Sequence, residues 1–333
     1  MNTAVVILNF NGRKWLEKFL PSVVVNSDEA DIYIIDNASS DDSVLFLKDK
    51  YPQLKVVVND SNYWFAGGYN EGLKHVTADY YILLNSDVEV TPNWITPIIQ
   101  LLESDENIVA AQPKILAYHN KQYFEHAGAG GGMIDKNGYP FCRGRIFDHL
   151  EKDEGQYNDT TEIFWATGAC LFIKAKSFHE FGGFDASYLA HMEEIDLCWR
   201  MKNNGKKIMY CGSSSVYHVG GGTLKYVNPQ KTYLNFRNSL FTLYKNLDRG
   251  VFVKIFTRLF LDSLAGAKFL FSGKFKHIGS ILKAHFHFYK NISQLNKKRK
   301  QMAYKSFTGM KGMYDSNIVW QHFGRKKNTF KDL

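Results

Sequence analysis

The sequence is poor in the features that mark secreted and disulfide-bonded proteins. Its 333 residues include only four cysteines, Cys142, Cys170, Cys198 and Cys211, and no two of them form a C-x-x-C pair. We therefore expect reduced thiols rather than a disulfide framework or a structural zinc site. The apolar run at residues 4–8 is too short for a signal peptide, and no basic segment precedes it. These features predict a cytoplasmic protein.

Long uncharged apolar stretches are missing as well. A membrane-spanning helix needs about 18 or more consecutive, mostly apolar residues. The best candidate, residues 251–273, is interrupted by Lys254, Arg258, Asp262 and Lys268. We therefore expect no spanning helix in this segment.

Two common phosphate-binding motifs are absent from the glycine-rich segment at residues 62–72, NYWFAGGYNEG. Glycines before a helix can hold phosphates on backbone N–H groups. This segment has neither G-x-G-x-x-G nor the Lys-Ser/Thr pair of a P-loop, so it supports neither a dinucleotide site nor an NTPase site. A tight turn with buried aromatic residues explains the segment equally well.

Charge is unevenly distributed along the chain, which carries a formal net charge of +8. Residues 231–333 hold 21 Lys and Arg against four Asp, whereas residues 1–230 hold 20 bases against 29 acids. Such a division suggests that the basic part contacts nucleic acid or an anionic membrane. The sequence has no helix-turn-helix, zinc-finger or RNP-type motif, so we expect no nucleic acid partner.

The N-terminal part alternates between strand-like and helix-like patterns. Strands are predicted at residues 3–10, 31–35, 54–58 and 80–84, and helices at 14–25, 44–50, 71–76 and 92–103. This alternation predicts an α/β fold, a parallel sheet with helices on both faces. Ligands bind beyond the carboxyl ends of such strands, so the polar tips at 9–12, 36–42 and 85–87 should meet in one crevice.

The remaining segments are less regular. The pattern predicts loops or a β-ribbon at residues 117–162, strands at 164–173 and 207–211, and a helix at 194–203. From about residue 231 the helical patterns become amphipathic and basic. One helix would carry Phe252, Phe256 and Phe260 on one face and Arg258 and Asp262 on another. We therefore predict two units, residues 1–230 and a mainly helical segment at 231–333.

Two interpretations of the amphipathic C-terminal helices stay open. Their basic residues and apolar faces could bind an anionic membrane surface. Alternatively, the apolar faces pack on the N-terminal unit while Lys and Arg remain solvated.

Three short motifs carry groups suited to chemistry, although each also has an ordinary structural explanation. Asp87 follows a strand and could hold a divalent cation together with substrate phosphates, or it could simply end the strand in a turn. Glu193, Glu194 and Asp196 crowd a helix start, where acids are favoured by the helix dipole but where mutual repulsion also suits one of them to act as a base. His218 could ligate a metal or be a partly buried histidine beside the glycines at 220–222.

The order of these motifs resembles the family 2 glycosyltransferases. The chain reads VVILNFNG, IIDNASSDDS, N-x-x-F-A-G-G-Y-N-x-G, LLNSDVEV, TGA, GGFD, MEEIDLCWR and VYHVGGGT in that order. This set is similar to the rhamnosyltransferase-like bacterial branch and covers about residues 3–240. The resemblance implies a GT-A fold, a nucleotide-diphosphate sugar donor and a saccharide or lipid-linked saccharide acceptor in surface polysaccharide synthesis.

The resemblance also implies a role for each matching residue. On the donor side these are Leu8 and Phe10 beside the base, Asp36 and Asn37 at base and ribose, Asn62, Gly67, Gly68 and Asn70 near the nucleotide, and Ser86 and Asp87 at the end of a D-x-D-like element. On the acceptor side they are Thr167, Gly168, Glu193 and Asp196, and Glu194 falls at the catalytic base. Asp87 and His218 would bind Mg²⁺ or Mn²⁺. Asn37 and Asn85 stand where many relatives have aspartate, and uridine and thymidine donors both stay open.

The resemblance implies a metal-dependent, inverting sugar transfer. Together with the basic amphipathic C-terminal helices, it favours a protein peripheral to the inner face of the plasma membrane. Two other functions remain as alternatives. A sugar nucleotidyltransferase can share a nucleotide-binding α/β sheet, and Arg13 and Lys14 are weak support for it. A non-catalytic nucleotide-binding scaffold would not need Asp87, Glu194 and His218 together.

Overall fold

The computed structural model describes residues 1–220 and 228–333. The glycine run at residues 220–222, noted beside His218, therefore lies partly outside the described residues. Only Gly220 belongs to them. Among the described residues, no helix combines the length and the apolar character needed to cross a bilayer. All four cysteines are buried and free.

The first hundred residues alternate strands and helices, as the sequence predicts. The elements are β1 (Thr3–Asn9), α1 (Arg13–Val25), β2 (Asp31–Asp36), α2 (Ser43–Lys50), β3 (Lys55–Val58), α3 (Trp64–Gly72), β4 (Tyr80–Asn85), β5 (Val88–Val90) and α4 (Thr96–Glu103).

The middle of the chain is richer in strands than the sequence indicates. Its elements are β6 (Ile108–Ala117), β7 (Asn120–Phe124), β8 (Gly132–Asp135), β9 (Pro140–Cys142), β10 (Arg145–Ile146), β11 (His149–Leu150), β12 (Thr160–Ile163), β13 (Cys170–Lys174), α5 (Ala175–Glu180), α6 (Glu193–Asn203) and β14 (Lys207–His218). The C-terminal segment is mainly helical and contains α7 (Pro229–Asn246), α8 (Val251–Phe271), α9 (Phe275–Lys290), α10 (Ile292–Lys300) and the short strand β15 (Met313–Tyr314).

The main sheet has the order β12-β14-β6-β13-β4-β1-β2-β3, with β5 and β7 paired to its β14 and β6 strands. Strands β4, β1, β2 and β3 are parallel, which confirms the prediction for the N-terminal part. The sheet as a whole is mixed, because β13 pairs antiparallel with both β4 and β6. A second sheet, β11-β10-β9-β8-β15, accounts for part of the segment predicted as loops or a ribbon.

Both faces of the main sheet are covered, as predicted. Val5 and Ile7 of β1 share a core with Leu16 of α1, whereas Ala4 and Val6 belong to the core that includes α3, α6 and α7. The two-residue period of a strand sends alternate side chains to opposite faces. Burial on both sides explains why the strand reads as a continuous apolar run.

The helix predicted at residues 71–76 was placed too late in the chain. The helix is α3, Trp64–Gly72, and only a 3₁₀ turn, Leu73–His75, follows where residues 71–76 were predicted to be helical. Glycine disfavours helices, but here it allows close packing. A β-carbon added to Gly68 would lie 2.9 Å from Asn37 Nδ2 and 3.0 Å from Leu8 Cδ1. Tertiary contact therefore outweighs helix propensity.

Helix α7 anchors the C-terminal segment to the N-terminal part of the chain. Leu240, Phe241 and Leu243 belong to the same buried core as Leu197 and Trp199 of α6. The change in composition near residue 230 therefore does not coincide with a gap in packing. The division into residues 1–230 and 231–333 stays a prediction.

Candidate active site

A pairing between two short strand ends brings Asp87 and His218 together. β5 pairs antiparallel with the end of β14, so that His218 lies opposite Val88, and Val219 N donates to Asp87 O over 3.1 Å. As a result His218 Nε2 lies 3.2 Å from Asp87 Oδ1. The two side chains implied as metal ligands are therefore neighbours.

Glu125 supports the other side of the histidine ring. Its Oε2 lies 3.1 Å from His218 Nδ1 and also accepts from Ala127 N over 2.5 Å. Burial disfavours the ionised carboxyl, but the charge of His218 outweighs it and lowers the pKa of Glu125 to about 2. Burial likewise disfavours imidazolium, but Glu125 and Asp87 raise the pKa of His218 to about 10. Opposite charges in contact stabilise each other's charged forms.

This cluster suits a divalent cation that draws further ligands from a substrate. Mg²⁺ is usually bound by one or two carboxylates plus phosphate oxygens, and a ligating histidine usually has its second nitrogen fixed by a carboxylate. Asp87 matches the carboxylate role, and His218 held by Glu125 matches the histidine role once the cation has displaced its proton, because a ligating imidazole is neutral. No group of three or more potential ligands gathers in a metal-binding arrangement among the described residues, so substrate or water oxygens would have to complete the coordination.

The strand ends converge on the predicted crevice. Asn9 Nδ2 donates to Asp36 Oδ2 over 2.9 Å, and Ser39 N donates to Asp36 Oδ1 over 2.9 Å. A β-carbon built on Gly12 would lie 3.8 Å from Ser86 Oγ. The tips after β1, β2 and β4 thus lie side by side.

Asn37 organises the loop before α3. Its Nδ2 donates to Asn62 Oδ1 over 2.9 Å and to Trp64 O over 3.0 Å, while its Oδ1 accepts from Asn59 Nδ2 over 3.0 Å. Asp36 and Asn37 are each 1% exposed. Their polar groups therefore shape the crevice in this structure, and their contact with base and ribose stays a prediction.

Other donor-side residues fall into exposed and buried groups. Phe10 is 42% exposed and Leu8 is partly buried, so both can border a ligand. Gly67 is buried against Tyr63, whose Cβ would lie 3.0 Å from an added β-carbon. Asn70 uses its amide to hold the G-G-F-D turn, since it donates to Phe184 O over 2.7 Å and accepts from Phe184 N over 3.0 Å.

The start of α6 carries two carboxyl groups whose pKa values are raised. Burial raises the pKa of Glu194 to about 7, against opposing backbone N–H groups such as that of Gly168. Burial, and then the charge of Glu194, raise the pKa of Glu193 well above its ordinary value. The Oε2 atoms of both side chains are buried without a hydrogen-bond partner among the described residues. A carboxyl with a pKa near 7 is well matched to proton transfer at neutral pH.

Asp196, two residues after Glu194, differs because it is surrounded by cations. Its Oδ1 lies 2.9 Å from Lys245 Nζ and its Oδ2 lies 3.0 Å from Arg200 Nε. Burial opposes ionisation, but Lys245 and Arg200 hold the pKa of Asp196 below its ordinary value. Lys245 also contacts Asp185 at 2.6 Å. Asp196 therefore joins α6 to α7 and to the G-G-F-D turn.

Thr167 and Gly168 lie between the two ends of the site. Asn85 N at the end of β4 donates to Ala169 O over 3.0 Å. On the other side, an added β-carbon on Gly168 would lie 4.0 Å from Glu194 Cβ. Thr167 is buried and its N–H donates to Gln112 Oε1 over 3.0 Å. This loop links the end that carries Asp87 to the end that carries Glu194.

The chain enters α6 through an unusual backbone. Leu189, His191 and Met192 have φ angles of 66°, 68° and 73°. Non-glycine residues rarely adopt this region, and such residues cluster at functional sites. Burial, and then the charge of Lys231, lower the pKa of His191 to about 4. A histidine whose burial disfavours its charged form and a lysine from α7 thus lie beside the entrance to α6.

Sequence reasoning missed Glu125, His191 and Lys231. Glu125 precedes a glycine-rich run, but nothing in the sequence connects it to His218, which lies 93 positions later. His191 stands directly before the M-E-E-I-D motif, and this adjacency could have indicated that it lies beside Glu193 and Glu194. Lys231 is the first of the basic residues in the C-terminal segment.

Comparison with known proteins shows the family to which the chain belongs. The profile of "Glycosyl transferase family 2" matches residues 4–182, more than half of the chain. The chain belongs to glycosyl transferase family 2. The resemblance implied by the ordered motifs is thereby confirmed, and the protein is a glycosyltransferase.

Curated relatives of this glycosyltransferase include rhamnosyltransferases. N-acetylglucosaminyl-diphospho-decaprenol L-rhamnosyltransferase of Mycobacterium tuberculosis is 23% identical over 64% of this chain and 75% of its own length. Rhamnosyltransferase WbbL of Escherichia coli is 21% identical over 64% and 82%. Low-salt glycan biosynthesis hexosyltransferase Agl10 of Haloferax volcanii is 21% identical over 83% and 87%.

Solved structures confirm the GT-A fold. GalNAc-T7 with UDP, GalNAc and Mn²⁺ has a TM-score of 0.64 at 18% identity, over 92% of this chain and 55% of that one. TarS of S. aureus with UDP-GlcNAc has a TM-score of 0.56 at 13% identity, over 90% and 84%. Mannosyltransferase PcManGT of Pyrobaculum calidifontis with GDP-Man and Mn²⁺ has a TM-score of 0.53 at 11% identity, over 86% and 87%.

Proposed function

We propose that this glycosyltransferase transfers a sugar, with inversion, from a nucleotide-diphosphate sugar to a hydroxyl of a saccharide or lipid-linked saccharide acceptor. One observation carries the proposal. Asp87 and His218 are in contact just after Asn85, whose N–H donates to Ala169 O, and the adjacent Gly168 lies beside Glu194, a carboxyl with its pKa raised to about 7. The site thus combines groups for a leaving diphosphate with a group that takes up a proton.

The transfer breaks one bond and forms another at the anomeric carbon. Glu194 takes the proton of the acceptor hydroxyl, and the oxygen forms a bond to that carbon from the face opposite the nucleotide. The bond to the diphosphate oxygen breaks, and the nucleoside diphosphate leaves with the electron pair. General-base assistance of this kind contributes about 10²–10⁴-fold.

Asp87 and His218 would hold a divalent cation, Mg²⁺ or Mn²⁺, which neutralises charge on the leaving diphosphate when bound. Two structural neighbours named above contain Mn²⁺. Glu125 would orient the His218 ring, as carboxylates do for ligating histidines. The donor-side residues predicted from the sequence, from Leu8 to Asp87, would surround the nucleotide.

The acceptor is proposed to be lipid-linked, and the protein to act peripherally on the inner face of the plasma membrane. The Mycobacterium tuberculosis relative is named for a decaprenol-linked acceptor. The basic segment at residues 231–333 supplies charge suited to anionic lipid. Surface polysaccharide synthesis is the corresponding setting.

A screen of nucleotide sugars tests the proposed reaction. With donor, acceptor and Mn²⁺, we expect release of nucleoside diphosphate, loss of release in chelator, and recovery when Mn²⁺ or Mg²⁺ is restored. Full activity in chelator would remove Asp87 and His218 from the proposed role. Formation of nucleoside triphosphate from nucleotide sugar and pyrophosphate would instead identify a nucleotidyltransferase.

A further inference from the structure

Helix α8 turns charged side chains inward. Its buried residues are Val251, Ile255, Arg258 and Asp262, and the last two are 2% and 1% exposed. A surface helix of a globular protein normally directs its apolar face to the core. The large apolar residues on the opposite side of α8 therefore do not pack in the protein core and are exposed.

Buried hydrogen bonds fix α8 in this orientation. Arg258 donates to Gly138 O over 3.0 Å and to Ser239 Oγ over 2.6 Å. Asp262 accepts from Tyr139 OH over 3.2 Å and lies 3.1 Å from His285 Nε2. Rotating the helix to bury its phenylalanines would break these contacts, and separating a buried charge from its partners is costly.

The outward side of α8 and α9 is strongly apolar. Phe252, Phe256, Phe260 and Leu264 on α8 and Leu282 and Phe286 on α9 are between 53% and 83% exposed. Their spacing places each set opposite the buried residues of its own helix. The helices pack side by side, with the rings of Phe269 and His277 stacked at 4.9 Å. We call this joint outward surface the α8–α9 face.

The exposed charges on this hairpin are all positive. Lys268, Lys274, Lys276, Lys283 and Lys290 are exposed, and the only acid between residues 251 and 290 is Asp262, which is buried. An apolar helix face bordered by lysines is typical of helices that lie in the interface of an anionic bilayer. Charge complementarity therefore favours anionic lipid as the occupant.

We propose that the α8–α9 face inserts into the headgroup region of an anionic bilayer, with both helices parallel to the membrane plane. The phenylalanines and leucines enter the acyl boundary, and the lysines contact lipid phosphates. This inference deepens the proposed function by assigning membrane contact to one surface. Binding to the bilayer itself requires no catalysis.

Contacts of α9 connect this face to the acceptor side of the site. His277 Nδ1 lies 2.8 Å from Thr232 Oγ1, and Ser280 Oγ donates to Pro229 O over 2.8 Å, so α9 holds the start of α7. Ala284 packs in the same cluster as Leu189, in the loop that leads to Glu194. Helix α9 therefore lies between the α8–α9 face and the loop that leads to Glu194.

Vesicle sedimentation of the full-length protein tests the face. Phe252→Ser/Phe256→Ser/Phe260→Ser should reduce partitioning onto phosphatidylcholine–phosphatidylglycerol vesicles by about tenfold or more, because three large apolar side chains no longer leave water. Val25→Ser/Leu45→Ser is the matched control, since these residues are 71% and 72% exposed on the catalytic part. Wild-type partitioning of the triple variant would overturn the proposal.

A charge-reversal pair tests the choice of lipid. Lys274→Glu/Lys276→Glu should reduce binding to vesicles with phosphatidylglycerol by about tenfold, whereas Lys48→Glu/Lys50→Glu on α2 should not.

No binding of the wild type to anionic vesicles would reject the inference. So would a wild-type dimer that the triple variant loses while its vesicle binding stays unchanged, because the face would then be a contact between two copies.

Two controls separate folding and catalysis from membrane binding. Thermal unfolding and nucleoside diphosphate binding should match the wild type in the triple variant, and Phe256→Ser alone serves if the triple variant does not fold. Transfer to a water-soluble acceptor should be unchanged. A wild type that binds vesicles but transfers no sugar would reject the proposed function and leave the α8–α9 face intact.

Discussion

The two ends of the site shift the pKa values of their glutamates in opposite directions. At the proposed metal end, burial opposes ionisation of Glu125, yet the contact with His218 lowers its pKa to about 2. At the acceptor end, burial without a cation raises the pKa of Glu194 to about 7 and that of Glu193 well above its ordinary value. The partner, more than burial, decides the protonation state. One end can therefore hold positive charge while the other takes up a proton.

Substitution at the metal end should have the largest effect. Asp87→Asn keeps the size of the side chain but removes the charge, so transfer and Mn²⁺-dependent nucleoside diphosphate binding should both fall by about 100-fold or more, beyond what loss of an outer partner causes. Calorimetry with and without Mn²⁺ measures the binding. Asp49→Asn, on an exposed position of α2, is the matched control. Equal Mn²⁺ dependence in Asp87→Asn and wild type would exclude Asp87 as a ligand.

Glu125→Gln should weaken the same end less severely. The variant removes the charge that orients and polarises His218, and loss of such a partner lowers metal affinity by about 10–100-fold. Nucleoside diphosphate binding without metal should be unchanged. A Mn²⁺ titration of transfer measures the effect, and an unaltered half-saturation point would leave Glu125 a structural role only.

The pH dependence of transfer reports on the acceptor end. A base must be ionised to accept a proton, and the pKa of Glu194 is about 7. Transfer should therefore rise about tenfold per pH unit below that value and level off above it. A single-turnover profile checks this. A profile that is flat between pH 5 and 8 would contradict a base with a raised pKa.

Ionisation of Glu194 should also have a smaller effect, on the free energy of unfolding. The pKa of Glu194 in the folded protein lies above its ordinary value of 4.5, so folding favours the protonated form. Stability present below pH 4.5 is then lost as pH rises toward 7. Glu194→Gln stays neutral and should gain stability relative to wild type, by about 1 kcal/mol or more at pH 8 but not at pH 4, since one pKa unit is worth about 1.4 kcal/mol. Urea titration at both pH values measures it.

Local patterns were sufficient to predict much of the fold. The buried strands β1, β2 and β4 read as apolar runs, and the acids at the start of α6 marked that helix, so the positions of Asp87 and Glu194 followed from local sequence. β6 was missed, although it is an interior strand of the mixed sheet, between β14 and β13. Its ten residues include Gln112 and Lys114, both of which are buried through partners far along the chain.

Long-range contacts account for what the sequence could not predict. The contact between Glu125 and His218 depends on the β6–β7 and β5–β14 pairings. The pattern of α8 predicts two faces but not which one is buried. The hydrogen bond from Arg258 to Gly138 O, 120 positions earlier in the chain, fixes which face is buried. Contacts between residues so far apart in the chain are set by the topology of the fold, and no local sequence pattern indicates them.

A matched pair of glutamate variants tests the central assignment most directly. Glutamine imitates a protonated glutamate, so Glu193→Gln should keep single-turnover transfer within about tenfold of wild type, whereas Glu194→Gln should lose at least about 100-fold. Both variants should bind nucleoside diphosphate and Mn²⁺ like the wild type. Near-normal transfer by Glu194→Gln, or a loss confined to Glu193→Gln, would contradict the account.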